Sequence, residues 1–338
     1  MGAHGRVSGR RAACRVLLRA LGLGLAVQLT ASALVLGYPQ GFFHPEFALW
    51  RWQRDHAEGR VGPEAVELLV VGDSKVVTGV RPEQFEGSAA LLALGGGSAL
   101  ELDLALERYL QTHPAPERVL ISIAAPHLEA AGSFWERTVK FRQFPAARLD
   151  ALVEEADQHA GDPMADRLRS RAGRARLWLS RIGFLPLYHA DLVRGGLVRR
   201  RARNADFRQR IDAQRGYFSL KRQGGAARKG MEAWREAFEP SSLLIAAFER
   251  SLRRCHEAGS EVWLVAMPIS ATTEAALRPL YREGVARYWQ SLERRLPWLR
   301  VGPAWWALPD ALFDDPDHLG HEGAGVASAE LARRLRDA

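Results

Sequence analysis

Leu68-Leu69-Val70-Val71 is a short apolar, partly β-branched run, and Gly72-Asp73-Ser74 ends it at once. Such a run reads as a buried strand. Glycine breaks it, so Asp73 and Ser74 fall where the chain turns off the carboxyl end of a sheet. Open parallel α/β sheets place their ligands at that end. A serine in this turn can be exposed and backed by the N–H groups of the next helix, and a nucleophilic serine needs both features. An Asp/Ser cap on an ordinary strand-to-helix loop produces the same string, so the motif needs a partner before it implies chemistry.

The same rhythm continues along the chain. Ala89–Leu94 is a second strand, closed by Gly95-Gly96-Gly97-Ser98, and Ser98 caps a helix over Ala99–Gln111. Val119–Ala124 is the third strand and ends at Ala125-Pro126-His127. Later, Ser241-Ser242 cap a helix over Leu243–His256, which Gly259 ends. Glu261–Pro268 is the fourth strand with its exit, Ala275–Leu296 is helical, Leu299-Arg300-Val301 is a short fifth strand, and Glu322–Leu335 is the closing helix. Strands alternating with helices predict a parallel α/β sheet. Hydrophobic residues make up 47% and charged residues 25% of the 338, which suits a globular chain able to bury a real core.

The partner for Ser74 lies near the far end, in Asp314-Asp315-Pro316-Asp317-His318-Leu319-Gly320. A histidine base needs a carboxylate to hold its tautomer and stabilise its cation. The D-x-x-H spacing of Asp315 and His318 lets one tight loop supply both. An acidic turn with a capping histidine is the plain alternative for this segment taken alone.

Together, the GDS of residues 72–74 and the D-x-x-H of 315–318 resemble the first and last blocks of the SGNH/GDSL hydrolase superfamily. More narrowly, the chain resembles the membrane-anchored SGNH-like proteins of bacterial envelopes, among them accessory proteins of alginate-type exopolysaccharide O-acetylation and of teichoic-acid D-alanylation. The resemblance covers roughly residues 64–143 and 241–338. It implies a three-layer α/β/α, flavodoxin-like parallel sheet with strand order 2-1-3-4-5. It implies Ser74 as nucleophile, His318 as base and Asp315 as its orienter. The N–H groups of Ser74 and of Gly96 or Gly97 would then bind the oxyanion, and a membrane-bound O-acyltransferase would be the partner. One departure is clear: the superfamily's third block carries an oxyanion-binding asparagine, and Ile121–His127 contains none. Asp73, Lys75, His127, Trp135 and Trp305 are further candidates for the pocket. For His127 the alternative is a surface loop, for Lys75 a solvated side chain, and for Trp305, next to Trp306, core packing. Phe134–Phe144 reads either as a pocket wall or as a packed helix with Phe134, Thr138 and Phe141 inward.

Residues 1–15 read as a basic cytoplasmic tail and 16–37 as a membrane anchor. Residues 16–37 carry one charge, Arg19 in the first turn, and the segment is long enough for a bilayer, which takes about 20 residues. Arg6, Arg10, Arg11 and Arg15 precede it, so the amino terminus should stay cytoplasmic. Tyr38, Phe42, Phe43 and Trp50 follow as an interfacial aromatic belt would. A cleaved signal peptide is the alternative, with Ala31-Ser32-Ala33 as the cleavage site; Arg10-Arg11 also hints at twin-arginine export. Residues 38–63 read as a juxtamembrane connector with breakers at Pro39-Gln40-Gly41 and His44-Pro45 and a short amphipathic helix around Phe47–Glu58. Residues 64–338 read as an inner-membrane-tethered periplasmic domain.

Charge is unevenly spread. The net charge is +8, but residues 167–229 alone hold 18 Lys/Arg against 3 Asp/Glu. This falls in a helical insertion at about 145–240, with a break at Gly224-Gly225. Basic clusters separated by Leu177-Trp178-Leu179 and Phe184–Tyr188 suit an anionic lipid surface or an anionic polysaccharide. Solvated helix faces are the plain alternative. Nucleic acid is the usual partner of such charge, but an exported domain rarely meets it, so none is expected. Cys14 and Cys255 are too separated in context to predict a disulfide. The sequence shows no Rossmann fingerprint, P-loop or Cys/His metal spacing, and neither cofactor nor metal is expected. Three functions fit: an O-acyltransferase for an envelope glycan or acylated polysaccharide, an esterase or deacetylase with the same triad, and a non-catalytic glycan-binding scaffold.

Overall fold

The computed structural model describes residues 3–41, 43, 46–195, 197–220 and 228–337. Phe42, His44, Pro45 and Gly224-Gly225 lie outside the described residues. The centre is a sheet of five parallel strands: β1 (Leu68–Gly72), β2 (Ala89–Ala93), β3 (Arg118–Ser122), β4 (Glu261–Leu264) and β5 (Arg300–Val301). Their spatial order is β2-β1-β3-β4-β5, the order expected from the sequence. A two-stranded parallel ribbon, Ile269–Ser270 with Ala307–Leu308, lies apart from the sheet.

Side chains alternate across the strands, and each face is dry. Leu69, Val71, Leu92, Val119, Ile121 and Leu264 pack with the helices Ala99–Thr112, Ser242–Glu257 and Pro279–Arg295. Leu68, Val70, Leu91, Leu120 and Trp263 pack with Leu49 and Trp52 of the helix Glu46–Ala57, Val76 and Val77 of the helix Ser74–Gly79, and the closing helix His321–Arg336. Burial on both faces is why these strands are continuous apolar runs rather than alternating ones.

Three expectations change. The region 38–63 is more than a connector: Trp50 and Trp52 of Glu46–Ala57 are fully buried. The helix expected over Ala275–Leu296 is split into Ala271–Ala276 and Pro279–Arg295, because Pro279 removes a donor and favours an extended residue before it. Phe134–Val139 winds as a π-helix, with Phe134, Thr138 and Phe141 buried as the packed reading had it.

One amino-terminal helix, Ala3–Gly37, contains a stretch, Ala13–Gly37, that is long and apolar enough to cross a membrane. The insertion is helical, with Ala146–Glu155, Pro163–Arg169, Arg171–Arg181, Leu185–Gly195 and Leu197–Ala213 as its main segments. The last of these docks on Glu46–Ala57: Trp52 Nε1 donates to Asp212 Oδ1 at 2.8 Å and Arg208 pairs with Asp55 at 2.7 Å.

The turn leaving β1 has no spare volume. A Cβ on Gly72 would stand 2.1 Å from Ser122 O and 2.5 Å from Val76 Cγ2. Gly72→Ala is therefore expected to destabilise the fold by about 1–3 kcal/mol through overpacking, read as a lowered thermal midpoint of the detergent-solubilised chain. An unchanged midpoint would contradict the close packing of β1 on β3.

Candidate functional site

Ser74 is the first residue of the helix Ser74–Gly79, just beyond the carboxyl end of β1. Asp73 is its N-cap, accepting from Lys75 N at 2.9 Å. The loop 313–319 is held shut by a bridge between Phe313 and Leu319. Asp315 Oδ1 accepts from the backbone N–H of Asp317 and of His318, both at 3.0 Å. Leu319 and Phe313 pack with Val76, Val77 and Val80, and Arg81 N donates to Ser328 Oγ at 2.8 Å. This packing of the closing helix on the helix at Ser74 joins segments 244 residues apart.

Ser74 Oγ lies 2.9 Å from His318 Nε2, and His318 Nδ1 lies 2.8 and 3.0 Å from the Asp315 carboxylate oxygens. Burial works against the Asp315 charge, but the hydrogen bond and charge of His318 and the two loop N–H groups outweigh it and hold its carboxyl below the usual carboxylate range. An ionised Asp315 is an acceptor only, so Nδ1 carries a proton, and Nε2 is the nitrogen left to accept from the serine hydroxyl.

The pocket beside them holds about 510 Å³ and is lined by Ser74, Lys75, Gly96, His127, Asp317 and His318, among others. Of the two glycines expected to face it, Gly96 does. Gly97 donates its N–H to Leu94 O at 2.9 Å, closing the turn instead. Gly96 has φ +69°, and a Cβ there would meet Ser133 Oγ at 2.5 Å and Arg137 Nη1 at 2.6 Å. Only a glycine fits without strain.

His127 belongs to the pocket rather than to a surface loop. Its Nδ1 donates to Asp73 Oδ2 at 2.9 Å, and Ala124 N donates to the same oxygen at 2.7 Å. Burial opposes ionisation of both side chains. Their mutual attraction prevails, so Asp73 is held below its ordinary range and His127 is raised above 6.5.

Lys75 is not solvated. It is 6% exposed and ion-paired to the buried Glu232. Burial pushes against its charge, but Glu232, Asp317 and Asp73 raise its pKa. Asp317, whose carboxyl burial holds above its usual range, accepts from Met231 N at 2.8 Å. Glu232 and Asp317 were missed in the sequence. The signal was Lys75 itself, a charge one residue beyond a motif that sits against the core.

Two expected pocket residues lie elsewhere. Trp135 is buried in the core, with Arg167 and Arg176 stacked over its ring at 5.6 and 5.1 Å. Trp305 lines a separate void of about 20 Å³ behind Lys75 and donates its indole N–H to Arg282 O at 3.1 Å. Apolar cover for the cleft comes instead from Leu49, Val77, Phe207, Phe218 and Leu220. Neither protein-family models nor curated proteins give a match to the chain.

Two measurements follow. Lys75→Met strands the buried Glu232 carboxylate and is expected to destabilise by about 3–5 kcal/mol, whereas Lys75→Met with Glu232→Gln recovers part of that loss in urea unfolding. Additive losses would show that the pair is not coupled. For His127, a raised native pKa means that its stabilisation is complete below pH 6.5 and is lost as pH rises through the folded value. The difference in thermal midpoint between wild type and His127→Gln is therefore expected to shrink on going alkaline from pH 6.5, and a constant difference would contradict the ion pair.

Proposed function

We propose that this chain is an SGNH-type serine acyltransferase acting on a bacterial cell-envelope or exopolysaccharide glycan. The observation that carries the reading is the continuous chain of contacts from Ser74 Oγ through His318 to Asp315, opening on a pocket of size suited to a small acyl group and part of a sugar. The doubly covered parallel sheet supports the SGNH α/β/α layering.

In the first half-reaction Ser74 Oγ attacks the donor's acyl carbonyl, and its proton passes to His318 Nε2. Asp315 steadies the resulting imidazolium without taking the proton. The negative oxygen is met by the N–H groups of Ser74 and Gly96. His127 fills the place of the absent asparagine: Asp73 occupies its Nδ1–H, and the cation so favoured presents Nε2–H to the cleft it lines. His318 then protonates the leaving alcohol. In the second half-reaction a sugar hydroxyl gives its proton to His318 and attacks the acyl-serine carbonyl; the bond from that carbon to Ser74 Oγ breaks and His318 returns the proton to Oγ, regenerating Ser74. On this reading the apolar helix Ala13–Gly37 tethers a domain that works on the extracytoplasmic side of an inner membrane, beside a membrane-bound O-acyltransferase that supplies the acyl group.

Full-length protein in detergent is expected to release nitrophenolate from p-nitrophenyl acetate. Ser74→Ala should lower turnover about 10⁶-fold, and Asp315→Asn about 10⁴-fold. Acetyl groups appearing on an added polysaccharide identify transfer, and acetate alone identifies an esterase. Wild-type turnover in Ser74→Ala would end the catalytic reading.

A further inference from the structure

The apolar helix carries polar residues in its second half, and each has a partner. Gln28 Oε1 accepts from Leu185 N at 3.0 Å, and Gln28 Nε2 donates to Gly183 O at 3.2 Å. Ser32 Oγ donates to Ile182 O at 2.7 Å. These contacts seat the turn between the helices Arg171–Arg181 and Leu185–Gly195 against the side of the amino-terminal helix. The approach is close: Gly183 has φ +63°, and a Cβ there would lie 3.2 Å from Ser32 Cα and 3.4 Å from Val35 Cβ.

The depth of this contact matters. With a rise of 1.5 Å per residue, Ser32 and Gln28 lie about 7 and about 13 Å along the helix from Gly37. Resting on the reading that Ala13–Gly37 spans a bilayer, we propose that the turn Ile182–Leu185 enters the leaflet on the folded domain's side. It then forms a second membrane leg beside the anchor.

The backbone of the turn meets the condition that hydrocarbon imposes. Irregular backbone at membrane depth must have its polar groups satisfied by protein. Ile182 N donates to Ser180 O, Gly183 N to Ser180 O, Phe184 N to Leu179 O and Leu187 N to Phe184 O. Gln28 and Ser32 satisfy Ile182 O, Gly183 O and Leu185 N. Hydrogen bonding to this turn accounts for a glutamine inside an otherwise apolar helix. The side chains agree: Trp178 is 58% exposed, Ile182 40% and Val193 82%, apolar surface of the kind that lipid covers. Arg171 and Arg174 are exposed on the first leg at the level of the head groups. Arg176 and Arg181 are neutralised by ion pairs at the protein surface, with Glu136 and Asp150.

The test uses the whole chain reconstituted in vesicles of phosphatidylcholine and phosphatidylglycerol, with no other protein present. Cys14 is exposed and Cys255 buried, so Cys14→Ser gives a clean background for a nitroxide at one introduced cysteine. Leu21→Cys reports the span, Ile182→Cys the turn, and Val326→Cys, on the closing helix, the aqueous domain. The ratio of oxygen to nickel-chelate collision rates at 182 is expected to match that at 21 and to exceed that at 326 several-fold. If 21 reads as lipid and 182 as water, the second leg is refuted while the span stands. If 21 itself reads as water, the span fails and the second leg fails with it.

Discussion

Asp73 sits at 1% exposure and accepts from Lys75 N, Ala124 N and His127 Nδ1. An isolated carboxylate taken so far from water costs several kcal/mol. Here two main-chain donors and an imidazole offset that cost, and they come from two segments, the turn after β1 and the exit of β3. The bond to Lys75 N sets the start of the helix that presents Ser74. The bond to Ala124 N ties the exit of β1 to the exit of β3. The bond to His127 orients a ring that the sequence pattern leaves unexplained. Without the carboxylate, the exits of the two central strands would lose a bond that extends their ladder, and the helix that begins at Ser74 would lose its cap.

A second buried charge cluster lies behind the nucleophile and links residues still farther apart. Lys75 follows Ser74, Glu232 comes from the end of the insertion, and Asp317 belongs to the loop that carries His318. The insertion is therefore part of the site's framework. Gly230 packs so closely there that a Cβ would fall 2.6 Å from Asp317 Oδ1. Charges paired this way favour one arrangement over near alternatives, because any shift that separates Lys75 from Glu232 leaves an ion unpaired in a dry place.

The first four strands were legible because each contains an apolar run closed by a glycine or proline, and because burial on both faces leaves that signature uninterrupted, whereas the edge strand Arg300–Val301 leaves its arginine exposed. Ser74, Asp315 and His318 were legible because their local spacing reports local geometry. Glu232 was not, since nothing near it in sequence distinguishes it from a solvated glutamate; its burial is decided by Lys75, 157 residues away. Trp135 and Trp305 show the opposite error. Proximity in sequence to a site loop says little about which way a large ring points, and packing area drew Trp135 into the core. The segment 38–63 looked like a connector because its helix is short, yet Trp50 and Trp52 bury completely once two separate hydrophobic clusters are present to receive them.

The link between the apolar helix and the cleft is also a packing matter. Val35 of the apolar helix, Phe43, Phe47, Trp50, Phe141, Tyr188 of the insertion and Leu94 form one buried cluster. Leu94 immediately precedes Gly95 and Gly96, which line the cleft, and Glu46 and Leu49 line it too, with Leu49 beside Gly95. A flexible tether would let the cleft tumble through the volume above a bilayer. An aromatic cluster that joins the end of the anchor to the glycine turn removes that freedom, because rings at 5–6 Å centroid spacing, such as Phe43 with Phe47 at 5.1 Å and with Tyr188 at 5.8 Å, cannot slide without opening voids. With the apolar helix in a membrane, the orientation of the cleft is set by the same contacts that set its height. Under the proposed acyl transfer, a donor held at that surface would meet a serine already aimed, and the orientational entropy that a diffusing encounter would have to supply would have been met in folding.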